Sequence, residues 1–166
     1  MAEFLRLGGF DFRSIVLRMP TNPSPPAQPS LHELRAFFER EFPQSSVTIE
    51  AIGPHYARVR QHVGDSQLRP GGTVSGPAMM AVADSATYAA LLGAIGIVPL
   101  AVTTSLHMNF LRKPAADRAI LGEARLIKLG RRLAVAEVQI TSEGDERIVA
   151  QASLTYSIPP LADSKG

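Results

Sequence analysis

The chain has 166 residues, enough for one domain and short for two. Its 17 Lys and Arg against 15 Asp and Glu leave a net charge of +2, and no run of like charge exceeds two residues, which argues against a nucleic-acid-binding face. With 45% hydrophobic and 19% charged residues it can bury a core, and the absence of cysteine removes disulfides, zinc–thiolate sites, iron–sulfur clusters and cysteine nucleophiles together.

Residues 1–29 hold five of the thirteen prolines, show no sustained period, and lack the continuous apolar core of a secretory signal. We expect a poorly ordered leader here, a vector remnant or the product of an early start, with Met19 as a second candidate start. The folded domain is expected over 30–160, with a short tail at 161–166, in the cytoplasm.

Ser30 is a good N-cap, with Glu33 three residues on as its capping-box partner. Leu31, Leu34, Phe37, Phe38 and Phe42 then recur at helical spacing until Pro43. Two strand-like stretches follow, Val47–Ile52 and His55–Val63, and then a turn-rich loop from Gly64 to Gly76. Pro77–Ile95 is the longest helical signal, Ala-, Met- and Leu-rich, ended by Gly93, Gly96 and Pro99. From Ala101 the period switches to two: Val102, Leu106, Met108 and Phe110 alternate with Thr103, Ser105, His107 and Asn109. Leu133–Thr141 follows the hairpin signal Gly130. After the turn Ser142-Glu143-Gly144-Asp145, a last strand alternates from Arg147 to Ile158. One apolar helix followed by about four antiparallel strands is an α+β layout, in which the sheet's apolar face would wrap the helix.

Asp84 is the only acidic residue between Asp65 and Asp117, and it stands in the middle of that apolar helix. An ionised carboxylate there costs several kcal/mol unless it is paired or hydrogen-bonded, which points to chemistry rather than packing. The alternative is a narrow solvent-facing stripe shared with Ser85 and Tyr88. Arg69-Pro70-Gly71-Gly72-Thr73-Val74-Ser75-Gly76-Pro77 runs straight into the helix, so a glycine N–H at its positive end can hold an anion or polarise a carbonyl. Arg112 and Lys113 follow one strand, and Arg131 and Arg132 a hairpin glycine; such residues suit phosphate. The four histidines have no metal-ligand spacing, and no phosphate loop with a following lysine is present. A membrane span over Pro77–Leu100 is disfavoured by Asp84 and by weakly apolar alanine.

These motifs together resemble the hotdog-fold acyl-CoA thioesterases of the phenylacetate-degradation type. The matching segments are Gly71–Gly76, Ala83-Asp84-Ser85, Ala101–Ser105, Asn109–Ala115 and Gly130–Val138, and the region runs from about 45 to 158. The resemblance implies an antiparallel sheet around one central helix, with Asp84 as general base or nucleophile and the Gly76 N–H as oxyanion donor. It also implies Thr103 or Thr104 as an assisting hydroxyl. The family's usual His-Gly-Gly reads Ser75-Gly76-Pro77 here, and Arg69 stands where an asparagine is usual. The implied substrate is an acyl-CoA, with Arg69, Arg112, Lys113, Arg131 and Arg132 available to its anionic groups and no cofactor beyond the CoA it carries. Homodimers or tetramers are implied, each helix Asp facing the glycine turn of a partner subunit. The competing readings are a non-catalytic acyl-CoA-binding module and a hydratase or dehydratase on the same fold. The latter usually pairs a histidine with an acid on one helix, and the central helix here has none.

Overall fold

The structure is a computed structural model that describes residues 27–160. The expected leader, up to residue 26, and the expected tail at 161–166 lie outside the described residues.

Helix α1 (Leu31–Glu41) starts on the capping box: the Glu33 N–H donates to the Ser30 hydroxyl, and the Ser30 N–H donates to the Glu33 carboxylate. Its buried residues Leu34, Phe37 and Phe38 join the core, and Phe37, Phe38 and Phe42 surround Tyr88 with ring centroids 5.6–6.3 Å away. Strands β1 (Val47–Gly53) and β2 (Tyr56–Gln61) form a hairpin whose turn holds His55 at φ +56°. The second strand is therefore shorter than the expected His55–Val63 at both ends. The expected Gly64–Gly76 loop is more ordered than its composition suggests. It contains a single 3₁₀ turn and two short paired strands, β3 (Leu68–Arg69) and β4 (Thr73–Val74). Gly71 and Gly72 at its tip take φ +94° and +64°, which glycine adopts without strain.

Helix α2 (Gly76–Ile95) begins one residue before the expected Pro77, because Ser75 caps it by accepting the Ala78 N–H at 3.3 Å. By length and hydropathy α2 could cross a membrane, but the sheet wraps it and buries eleven of its residues. Four long strands follow: β5 (Val102–Phe110), β6 (Ile120–Leu129), β7 (Leu133–Ser142) and β8 (Asp145–Ser157). With β1 and β2 they form one antiparallel sheet in the order β1-β2-β6-β7-β8-β5.

Strand β6 had no boundaries in the sequence, for two physical reasons. Its inward residues Gly122 and Ala124 are small, and a bulge between Leu126 and Lys128 breaks the alternation. Gly122 is where the sheet comes closest to α2: a Cβ there would lie 2.6 Å from Val82 Cγ1 and 3.5 Å from the Val82 carbonyl oxygen. Both neighbours are fixed, since Val82 is fully buried. Gly122→Ala should lower unfolding free energy by about 1–3 kcal/mol, the usual cost of overpacking. Chemical denaturation measures this, and an unchanged midpoint would show that the helix can lift off β6 freely.

The two sheet edges are treated differently. At β1, Arg35 of α1 donates to the Ile49 carbonyl at 2.7 Å, and a bulge follows Ile49. At β5 no described residue covers the outer edge, and most of the strand is exposed. A bulge between Thr103 and Ser105 shifts the register there. It turns Val102 to the outer face, contrary to the regular alternation, and leaves Thr103 opposite Tyr156 on the inner face.

Candidate active site

The helix that carries Asp84 is not buried all round. Pro77, Met80 and Ala81 are exposed, and Asp84 and Ser85 are half-buried, one stripe at i, i+3, i+4 spacing. Tyr88, the next position on that stripe, is buried, so the solvent-facing alternative holds for Ser85 and fails for Tyr88. Asp84 is nonetheless closely held. Its Oδ1 accepts the Thr103 hydroxyl at 2.5 Å and the Tyr156 hydroxyl at 2.6 Å. These are the short, charge-assisted bonds that make a half-buried carboxylate tenable.

Of the two expected threonines the structure brings only Thr103 to Asp84. Thr104 sits in the β5 bulge and donates to the Thr155 carbonyl at 3.2 Å. Ser75, where the resemblance expects histidine, is the helix cap. Its cap leaves a particular donor free. The Ala78 N–H is taken by Ser75 Oγ, Met79 N–H by the Ser75 carbonyl, and Pro77 has none. Gly76 N–H thus remains, with no acceptor among the described residues, at the positive end of a 20-residue helix. Phe110 lies over it: a Cβ on Gly76 would come 3.1 Å from the ring's Cζ.

Gly76 also lines a cavity of about 430 Å³ with Arg69, Thr73, Met79, Phe110, Arg112 and Lys113. The loop after β5 is pinned there by the Leu111 and Arg112 N–H groups, both donating to the Val149 carbonyl, and by Arg112 Nη1 on the Ile148 carbonyl at 2.8 Å. Arg131 and Arg132 are elsewhere. They sit at the β6–β7 tip, where Leu133 pairs with Ser157 and Ser157 pairs with Val102. The length of β5, about 26 Å at strand rise, separates that end of the sheet from Phe110 and Lys113. The two cationic pairs therefore do not share a site within one chain.

Asp84 and Gly76 are apart as well. Eight residues of helix place them about 12 Å from each other along the axis, too far to act on one carbonyl. No histidine contacts Asp84 among the described residues; His107 lies on the outer face of β5, opposite Ser153.

The family model of the thioesterase superfamily matches residues 71–149, the stretch from the glycine turn to the middle of β8. A candidate thioesterase from a Silicibacter species is 47% identical, over 79% of this chain and 92% of its own, with a TM-score of 0.73. The chain belongs to the thioesterase superfamily. Its sheet wrapped around one long helix is the hotdog fold of that superfamily, and thioester hydrolysis is the chemistry that membership supports. Zebrafish thioesterase superfamily member 2 shares the fold at 21% identity, over 79% of this chain and 99% of its own, TM-score 0.71. A phenylacetic acid degradation protein from Thermus thermophilus is 27% identical, over 75% and 99%, TM-score 0.62. Among curated proteins no sequence matches.

Tyr156 has no role in the sequence reading beyond lying within the last alternating strand, Arg147 to Ile158. A signal was present: a buried tyrosine needs a partner for its hydroxyl, and Asp84 is the only carboxylate on the helix that β8 helps to enclose. Burial first, and then the Asp84 charge, push the Tyr156 phenol far above its ordinary range, so it remains a protonated donor. Burial likewise pushes Tyr88 up to about 12.

Proposed function

We propose that the protein hydrolyses an acyl-CoA thioester at a site completed by two subunits, with Asp84 of one and the Gly76 N–H of the other acting on the same carbonyl. One observation carries this reading: the two groups lie about 12 Å apart within a chain. A nine-residue edge strand, uncovered by any described residue, joins their two ends, since Thr103 of β5 holds Asp84 and Phe110 of β5 covers Gly76. If two copies of β5 pair antiparallel about Leu106, the Thr103 end of one meets the Phe110 end of the other. The contact is self-complementary, as a two-fold requires, and it covers the part-exposed Leu106, Met108, Phe110 and the Met80–Ala81 stripe.

In the reaction the Gly76 N–H polarises the acyl carbonyl and stabilises the oxyanion. Water, deprotonated by Asp84, adds to the acyl carbon; the C–S bond then breaks, and the proton passes from Asp84 to the departing CoA thiolate. Direct attack by the Asp84 carboxylate gives the same products through a mixed anhydride, which water then cleaves. Single-turnover hydrolysis in ¹⁸O water separates the two, because only the anhydride route can label the enzyme carboxylate.

The Arg69, Arg112 and Lys113 cavity is the first candidate for the anionic groups of CoA, and the antiparallel dimer brings the Arg131–Arg132 tip of the other subunit toward it. Arg69→Ala with Lys113→Ala should raise KM for acyl-CoA several-fold and leave kcat near wild type, the pattern of lost uniform binding. An acyl-pantetheine substrate, which lacks the phosphates, should be unaffected. Equal loss with both substrates would assign these residues to the fold.

A hydratase or dehydratase is disfavoured by the absence of histidine contacts to Asp84 among the described residues. A binding module without turnover is the outcome if purified protein retains acyl-CoA but releases no free thiol.

A further inference from the structure

Both hydroxyls that reach Asp84 meet the same oxygen. Thr103 Oγ1 lies 2.5 Å and the Tyr156 hydroxyl 2.6 Å from Oδ1, and no described residue donates to Oδ2. We propose that Tyr156 is a positioning residue for hydrolysis: with Thr103 it anchors Asp84 through Oδ1 and so reserves Oδ2 as the oxygen that meets water or the thioester. The proposal rests on the reading of Asp84 given above and adds which of its oxygens reacts and what holds it there.

The surroundings of Tyr156 are built to hold a hydroxyl still. Tyr156 is 2% exposed and its ring stacks on Tyr88, with centroids 6.0 Å apart and planes 19° from parallel. Tyr88 is itself fixed by the three phenylalanines of the α1 region and by donating to the Pro99 carbonyl at 3.2 Å. The β5 bulge supplies the second donor, because it leaves Thr103 opposite Tyr156. A carboxylate oxygen has two lone pairs, and these two donors occupy both. The backbone carbonyl of Asp84, 3.2 Å from the Tyr156 hydroxyl, is the poorer acceptor, being more distant and uncharged. A carboxylate otherwise free to rotate about its terminal bond thus presents one oxygen in one direction, a condition for near-attack geometry.

Tyr156→Phe removes the hydroxyl and keeps the stacked ring. The test measures kcat, KM and melting temperature for this change in the wild type and in Asp84→Asn. In the wild type kcat should fall about tenfold, as expected for one hydrogen bond to a charged group, with KM unchanged and the variant still folded, its melting temperature lowered by the same lost bond. In Asp84→Asn the same change should alter the residual rate by less than about twofold, since a residue acting only through Asp84 then holds an amide with no reactive oxygen to present. Wild-type kcat in Tyr156→Phe overturns the proposal. So does an equal fall in both backgrounds, which would mark a hydroxyl acting on the fold or on the substrate. If Asp84→Asn itself turns over like wild type, the reading of Asp84 fails first and takes the proposal with it.

Discussion

Asp84→Asn should leave the fold intact and lower thioester hydrolysis by at least about a hundredfold, the lower range for loss of a positioned acid–base group. The fold should survive because asparagine is nearly isosteric and its carbonyl oxygen can still accept from Thr103 and Tyr156 at Oδ1. What the change removes is a charged oxygen able to take a proton or attack a carbon, whichever route operates. The loss should appear in kcat, with KM little altered, because Asp84 lies on the half-buried stripe of α2 and outside the cationic cavity. Circular dichroism and melting temperature like the wild type, together with the rate loss, complete the expected result. Near wild-type turnover would remove Asp84 from the mechanism.

Gly76→Pro should cost a comparable amount, about 10²–10³ in kcat, the range found when one oxyanion donor is lost. No side-chain deletion can test a backbone N–H, but proline removes it outright. The position tolerates proline on backbone grounds: Gly76 opens the helix, and Ser75 before it already has φ −73° and ψ 151°, the extended conformation that precedes proline. The new Cβ would come 3.1 Å from Phe110 Cζ, the outer end of a side chain, which needs to shift by only a few tenths of an ångström. Gly76→Ala is the control, since it makes the same contact and keeps the N–H. Loss in the proline variant with activity retained in the alanine variant identifies the N–H. Equal loss in both would mean that the contact with Phe110, and not the donor, matters.

Much of this was legible in the sequence where local rules act. Ser30 with Glu33 marked the first helix, Ser75-Gly76-Pro77 the start of the second, and Gly144 the last hairpin, and each is where its chemistry requires. Asp84 stood out because a lone carboxylate in an apolar helix demands partners. The partners themselves were harder to read. Thr103 and Thr104 are adjacent and chemically alike, and only a bulge, set by pairing with β8, decides which one turns inward. Tyr156 fits an apolar alternation, so the pattern concealed its polar end. The bulge in β6 and the small residues Gly122 and Ala124 hid that strand for the same reason: a period-two pattern reports burial by size and fails where close approach excludes side chains. The separation of Arg112–Lys113 from Arg131–Arg132 required strand order, which no single segment contains.

The claim that the site is shared between two subunits is tested most directly by complementation. Asp84→Asn and Gly76→Pro chains, each inactive alone, are unfolded and refolded together in equal amounts. In a mixed dimer one site then receives both defects and the other receives neither. Random pairing makes half of the dimers mixed, so the shared site predicts recovery of about a quarter of wild-type activity. Activity no higher than the sum of the two parents, in a mixture shown to contain mixed dimers, would contradict it and confine Asp84 and Gly76 to separate roles.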